Sequence, residues 1–401
     1  MLDRLREAPP TAGLPLTWRD FMPGDISLEK NLATFLDQRD VQIECSGTAA
    51  LVVALTTLKR TSHRRSVVIP AYTCPLVALA VAHCGLTPVL CDTRKNHFDL
   101  CLESLVAVCG DDTLAVVPTH LGGRVSDLAS AAEVARSVGA YVVEDAAQSL
   151  GAKWQGQSVG SFGDIGFYSL GVGKGLTIYG GGALVARNES LRQQLSVTSD
   201  EIAPYRLAWE IRRLLELAGY ISLYRPSGLK VAYGLPLRRK LRKNNLIEAV
   251  GDDCSANIPL HRVGAWRKTI GAHALKRLPS FLGNTAKQAI NRKALLAAIP
   301  GICVMDDAAG NTGTWPFFLV LMPTQQSRDH ALAQLWQAGL GVGRLFIHAL
   351  PDYPYLTTLF NNTAMPNARD FAARALTITN SLWLREDDFL HICSMLEKSL
   401  G

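Results

Sequence analysis

The chain has 401 residues, 48% of them apolar, with a net charge of +6 and a pI near 8.8. This length and apolar content allow a core large enough to bury a cofactor, in two domains or in one large domain with an appendage, and so mild a charge points to no nucleic acid. Nine scattered cysteines without a C-x-x-C spacing argue against a disulfide framework or zinc site, and residues 1–21 hold no continuous apolar segment, so a soluble protein of the reducing cytoplasm is expected.

In chain order, the first informative segment is Cys45-Ser-Gly-Thr-Ala-Ala-Leu51. Ser46 to Thr48 predict a turn that opens a helix over 48–58, and a helix N-terminus holds phosphate through its free N–H donors and dipole. Strands are expected at 66–70, 88–92, 114–118, 140–144, 163–169 and 182–186, with helices over 76–83 and 127–138, the last opening on Asp127. Apolar runs alternating with helical patterns specify a parallel sheet in a wound α/β domain, whose ligands bind beyond the carboxyl ends of the strands.

Two residues at such strand ends carry chemistry. Val142-Val-Glu-Asp-Ala-Ala-Gln148 brings a buried strand out on Asp145, and Phe167-Tyr-Ser-Leu-Gly-Val-Gly-Lys-Gly-Leu-Thr177 sets Lys174 between glycines. A lysine among small neighbours suits a Schiff base, because a cofactor ring can approach the backbone. A carboxylate emerging from a strand can keep a pyridinium nitrogen protonated, as pyridoxal 5'-phosphate (PLP) requires. In isolation Ser-Gly-Thr is an ordinary helix cap and Lys174 a surface lysine; the three together point to PLP.

With these motifs assembled, the chain resembles the DegT/DnrJ/EryC1/StrS family, the sugar aminotransferases of PLP fold type I. The resemblance runs from about Cys45 to Ala186, through Gly85-Leu-Thr-Pro-Val-Leu-Cys-Asp92, His120-Leu-Gly-Gly-Arg-Val-Ser-Asp127, Glu144-Asp-Ala-Ala-Gln-Ser-Leu-Gly-Ala152 and Gly181-Gly-Ala. It implies a large wound α/β PLP-binding domain with a smaller C-terminal α+β domain. It implies that Lys174 forms the Schiff base and then shuttles protons, that Asp145 pairs with the pyridine nitrogen, and that Gln148 bonds the phenolic oxygen. Gly47, Thr48 and Ser169 would bind the phosphate, and Tyr72 would stack on the ring. Asn257, in Asn257-Ile-Pro259, would reach the phosphate of a partner subunit, which makes a homodimer the expected assembly.

Three positions depart from the family's pattern. Gly171 stands where many members have a histidine, Gly180 where they have a glutamate, and the arginine that follows the asparagine is absent. The cofactor set is complete and the substrate set is not. His120 is as readily a satisfied loop histidine as a cofactor contact, and Cys45 and Cys74 read as small buried apolar residues.

The boundaries expected are 1–195 for the large domain, 196–257 for an elaboration and 258–401 for the small domain. In the elaboration, residues 205–220 place Leu207, Ile211, Leu214, Leu215 and Ala218 on an apolar face opposite Arg206, Arg212 and Arg213, and 237–243 form a basic run. The favoured reading is a helix packed on the domain or dimer surface through that face; contact of 205–243 with an anionic membrane is the weaker one. Beyond it, helices are expected over 266–296, 331–338 and 368–376 and a strand over 315–322, with Arg344 and His348 as candidate substrate contacts. No metal site is expected. The activity expected is ping-pong transfer of an amino group, from glutamate by family analogy, to a keto group on a nucleotide-linked sugar. The alternatives are a non-sugar cyclic ketone as acceptor or a PLP-binding regulatory protein; Lys174 argues against the related dehydratases, which carry histidine there.

Overall fold

The computed structural model describes residues 6–360 and 363–401. Its larger sheet is built from β1 (Gln42–Glu44), β2 (Ser66–Pro70), β3 (Thr87–Cys91), β4 (Thr113–Val116), β5 (Tyr141–Asp145), β8 (Ile165–Ser169) and β9 (Gly182–Ala186), with a small hairpin, β6 (Lys153–Trp154) and β7 (Gln157–Ser158), between β5 and β8. The order across the sheet is β1-β9-β8-β5-β4-β2-β3. Pairs from β8 to β3 are parallel, whereas β9 runs antiparallel to both β8 and β1. The one reversed strand follows from its short connection: a loop of 170–181 returns the chain beside β8 instead of crossing over.

The first helices are α1 (Leu28–Leu36), α2 (Gly47–Arg60), α3 (Pro75–His83), α4 (Leu102–Val108) and α5 (Leu128–Ser137). Helix α2 is buried almost all round, from Ala49 to Leu55, which accounts for its unbroken apolar sequence. Asp127 caps α5, accepting from Ser130 N at 3.2 Å, as its position before an apolar run predicts.

After α6 (Glu189–Ile202) the elaboration is helical: α7 (Leu207–Leu223), α8 (Pro226–Leu229), a π-helical turn (Lys230–Gly234), α9 (Leu235–Arg242) and α10 (Leu246–Val250). The predicted apolar face of α7 is not packed on its own chain. Leu207, Ile211 and Leu215 are 60%, 51% and 70% exposed, while Glu210, Leu217 and Tyr220 face inward. The reason is a buried ion pair: Glu210 accepts from Arg267 Nε at 3.0 Å, and Arg267 Nη1 donates to Gly180 O at 2.7 Å. An acid with that partner turns α7 about its axis, against its apolar stripe.

Arg267 lies on α11 (Ala265–Leu275), followed by α12 (Leu278–Ala297). The second sheet, β10 (Cys303–Val304), β11 (Phe317–Leu321), β13 (Ala375–Thr379) and β12 (Val342–Gly343) in that order, is antiparallel and carries α13 (Gln325–Leu335), α14 (Pro366–Arg374) and α15 (Glu386–Lys398). The helix expected over 368–376 therefore stops at Arg374, and β13 takes up Ala375 and Leu376.

The N-terminal strap ties these parts together. Glu7 N donates to Pro226 O at 3.0 Å, Ala8 N to Gly339 O at 2.8 Å, Ala12 N to Pro316 O at 2.8 Å and Leu14 N to Gly175 O at 3.1 Å. Because Arg267 is fully buried, Glu210→Leu is expected to cost about 3–5 kcal/mol by stranding its charge, and the double variant Glu210→Leu/Arg267→Met to recover much of that. Urea denaturation of the three proteins measures it; equal losses in single and double variants would contradict the pairing.

Candidate active site

Strand ends and helix starts converge at one edge of the larger sheet. Asp145 closes β5, Ser169 closes β8, and α2 opens on Gly47. Ser46 caps α2, its side chain accepting from Ala49 N at 2.9 Å, so the first-turn N–H groups of Gly47 and Thr48 remain as donors. A Cβ on Gly47 would lie 3.0 Å from the Ser169 Cβ, so only glycine lets the helix start come this close to the serine.

Lys174 follows in a tight turn, its N–H donating to Gly171 O at 3.3 Å, with Gly173 in the left-handed region at φ 79°. The Ser169 Oγ accepts from Gly171 N at 3.3 Å, so the serine orders the loop that leads to the lysine. Burial lowers the Lys174 pKa, opposed by Cys74 and Asp145. Burial likewise raises Asp145 to about 6, opposed by a 3.0 Å bond from Ala147 N and by the charges of Lys174 and His120. Amine and carboxylate act on each other inside a site that disfavours charge on both.

A cavity of about 60 Å³ borders Lys174 and Gln148, walled by Leu150, Leu282, Trp315 and Phe317 and reached by Thr11 of the strap. The Gln148 Oε1 accepts from Gly122 N at 2.9 Å, which leaves its NH₂ as the free end of the amide. The Gly122-Gly-Arg turn explains its own sequence: a Cβ on Gly122 would meet Phe317 at 2.9 Å, and Arg124 pairs with Asp307 and lies 3.3 Å over the Trp315 ring.

Other candidates lie elsewhere. Tyr72 is not on the Lys174 cavity. It is 1% exposed and packs edge-on to Phe346 at 5.5 Å and Phe371 at 5.1 Å, so its ring is taken up by the core. Cys74, two residues on, is the side chain in the field of Lys174 and Asp145, and burial raises its thiol to about 11. Arg344 spends Nη2 on Ile347 O at 2.6 Å and Ala372 O at 2.7 Å. His348 is half-buried at 5.3 Å from the Tyr353 ring, its pKa lowered by burial and then by Arg344. Asn257 sits in an exposed loop, its N–H donating to Ser255 Oγ at 3.1 Å, and is not among the residues lining the Lys174 cavity. Gly180 has φ 101°, a conformation open to glycine and costly for the family's glutamate.

His120 proves to be a structural residue. Its Nδ1 accepts from Ser126 N at 3.1 Å, which leaves Nε2 to donate to Glu144 Oε2 at 3.3 Å. Glu144, fully buried, also accepts from Gly160 N at 2.6 Å and from Gly163 N. This carboxylate, Thr11 and Trp315 were not singled out from sequence. Glu144 shows itself there only as an acid inside an apolar run, and the other two have no local signal.

The profile of the DegT/DnrJ/EryC1/StrS aminotransferase family matches residues 18–203 and 242–397. The chain belongs to this family. It is 36% identical over 151 residues to a UDP-N-acetyl-3-dehydro-alpha-D-glucosamine 3-aminotransferase of Acidithiobacillus ferrooxidans, covering 37% of this chain and 41% of that protein. It is 30% identical over 211 residues to the GDP-perosamine synthase of Caulobacter vibrioides, covering 52% and 55%. The chain thus spans about half the length of these relatives. Among solved structures, Spr1654 of Streptococcus pneumoniae in its PLP form superposes with a TM-score of 0.76 at 17% identity over 98% of both chains. The family is PLP-dependent, and the residues here suit that group: a helix start with free donors beside a serine, and a lysine and an aspartate buried together.

The raised Asp145 pKa has a consequence for the protein without cofactor. Ionised Asp145 opposes folding fully above pH about 6, and the penalty fades as pH falls towards 3.8, the ordinary aspartate value, where folded and unfolded states are both protonated. Asp145→Asn is therefore expected to raise stability by about 2–3 kcal/mol at pH 8, with the gain shrinking below pH about 6. Melting temperature against pH for the two cofactor-free proteins reads this out; a gain independent of pH contradicts it.

Proposed function

We propose that this chain is a PLP-dependent aminotransferase that moves an amino group from an amino acid, glutamate by family analogy, to a keto group on a nucleotide-linked sugar. The observation that carries the reading is the joint burial of Lys174 and Asp145 beside the α2 N-terminus and Ser169. The N–H groups of Gly47 and Thr48, with the Ser169 hydroxyl, would hold the phosphate. Asp145 would pair with the ring nitrogen, and the Gln148 amide NH₂ would donate to the phenolic oxygen. Bound PLP supplies an electron sink for the pair left when a C–H bond beside the amine breaks. The Lys174 Nζ, its pKa lowered by burial, would take that proton and return it, in each half of a ping-pong cycle. Leu150, Leu282, Trp315 and Phe317 exclude water around it.

A homodimer in the cytoplasm, with Asn257 entering the partner's site, and a division at about residues 195 and 257 complete the proposal. Arg344 and His348 are kept as substrate contacts only through the groups not spent inside the chain. A ketone that is not nucleotide-linked is the second reading, supported by a Lys174 cavity lined, among the described residues, by no arginine and by no lysine besides Lys174.

The purified protein with PLP is expected to be yellow, to bleach on adding glutamate, and to lose both properties in Lys174→Ala. Uptake of PLP without a response to glutamate would shift the reading to another donor or to a binding role, and no uptake would end it. Ser169→Ala is expected to weaken PLP binding about 10- to 100-fold, since a hydrogen bond to a charged group is worth about 1.5–3 kcal/mol; titration of the cofactor absorbance measures it.

A further inference from the structure

The described residues form a second, open cavity of about 710 Å³, which shares Thr11 and Gly173 with the Lys174 cavity. Its walls come from the strap, from Val172 of the lysine loop, and from α7, α8 and the π turn, through Gly219, Leu223, Leu229 and Ala232. Four tyrosines also line it: Tyr220 and Tyr224 stack at 4.5 Å, Tyr179 meets Tyr220 edge-on at 6.1 Å, and Tyr233 completes the set. Its single charged lining residue is Glu216, held by Arg212 at 2.9 Å and Arg213 at 2.7 Å. The helices that form most of it lie between residues 203 and 242, the stretch the family profile leaves unmatched.

We propose that this cavity is a subsite for the part of the amino acceptor that does not react, and that this part is an uncharged apolar group, aliphatic or aromatic, which makes the acceptor the ketone without a nucleotide. The inference rests on the aminotransferase reading, because the shared Thr11 and Gly173 matter only if Lys174 is the reacting centre. The lining offers a phosphate no cation of its own: no lysine or arginine is among the residues that wall the cavity, and Arg212 and Arg213 are taken up by Glu216. Aliphatic walls and tyrosine rings instead offer contact area and ring faces. A second copy of the chain is a poorer occupant. Residues 205–243 hold ten Lys and Arg against two Glu, so two copies meeting on this face would set basic surface against basic surface.

Gly219 provides the test. It lies within α7 and lines the cavity, and a Cβ built on it meets nothing within 4 Å, so the indole of Gly219→Trp enters the cavity from a helix position that favours any residue over glycine. The probes are Nile red, an uncharged dye that fluoresces in apolar surroundings, and two sugars, octyl and methyl β-D-glucoside, the former below its micelle concentration. The full-length protein is expected to bind Nile red, and octyl glucoside to displace it at least about tenfold better than methyl glucoside, as burial of an alkyl chain requires. Gly219→Trp is expected to weaken Nile red binding at least about tenfold with a melting temperature no lower than the parent's. Equal binding by the variant, no binding by the parent, or a changed oligomeric state in Gly219→Trp would each overturn the proposal, the last by assigning the groove to a second copy. Cofactor absorbance, read on the same samples, reports separately: its absence in both proteins overturns the aminotransferase reading and the acceptor assignment with it, whatever Nile red does.

Discussion

Burying an amine and a carboxylate together at the open end of a parallel sheet is the constraint on which this structure depends. Neither charge is favoured there, and each is pulled back towards ionisation by the other. Such a site persists only if the surrounding backbone is held by groups that are themselves satisfied. Glu144 and His120 do that work on one side, joining the loops at 118–126 and 160–163 to the end of β5. On the other side the strap fastens the lysine loop through Leu14 N and Gly175 O.

The same logic explains which residues were spent on structure. Arg124 is bound to Asp307 and stacked on Trp315, so it fixes the wall of the Lys174 cavity. Arg267 is bound to Glu210 and to the carbonyl of Gly180, so the loop that returns from Lys174 to β9 is held by α7 through a charge pair. Asp252 accepts from Ile347 N at 2.9 Å and from the Tyr353 hydroxyl, and burial raises it to about 6; it anchors the segment carrying Arg344 and His348. These buried charges act by position and by partner, and removal of one would strand another.

The helical elaboration adds what the sheet lacks. A glycine at 180, in a conformation costly for a glutamate, leaves room where Arg213 approaches to within 3.8 Å of the Cβ position. Two of the departures from the family's pattern, Gly171 and Gly180, therefore lie beside residues that line the larger cavity, as the added helices do.

The sequence by itself determined six of the seven strands of the larger sheet, the capped helix starts, and the placing of Asp145, Ser169 and Lys174 at or just after strand ends. Each depends on local patterning: an apolar run ending in an acid, a serine before a helix, glycines around a lysine. It did not show that Tyr72 packs in the core while Cys74 lies in the field of the lysine, because two residues in a loop have no periodicity to separate them. Nor did it show which side of α7 is buried, since the apolar stripe misleads when Glu210 has Arg267 to pair with, 57 residues away. Strand β13 behind a helical pattern, the antiparallel β9, and the meeting of Thr11, Trp315 and Phe317 around one cavity were likewise decided by tertiary structure. These depend on contacts between segments far apart in the chain, and the free energy of such contacts is recorded in no local stretch of sequence.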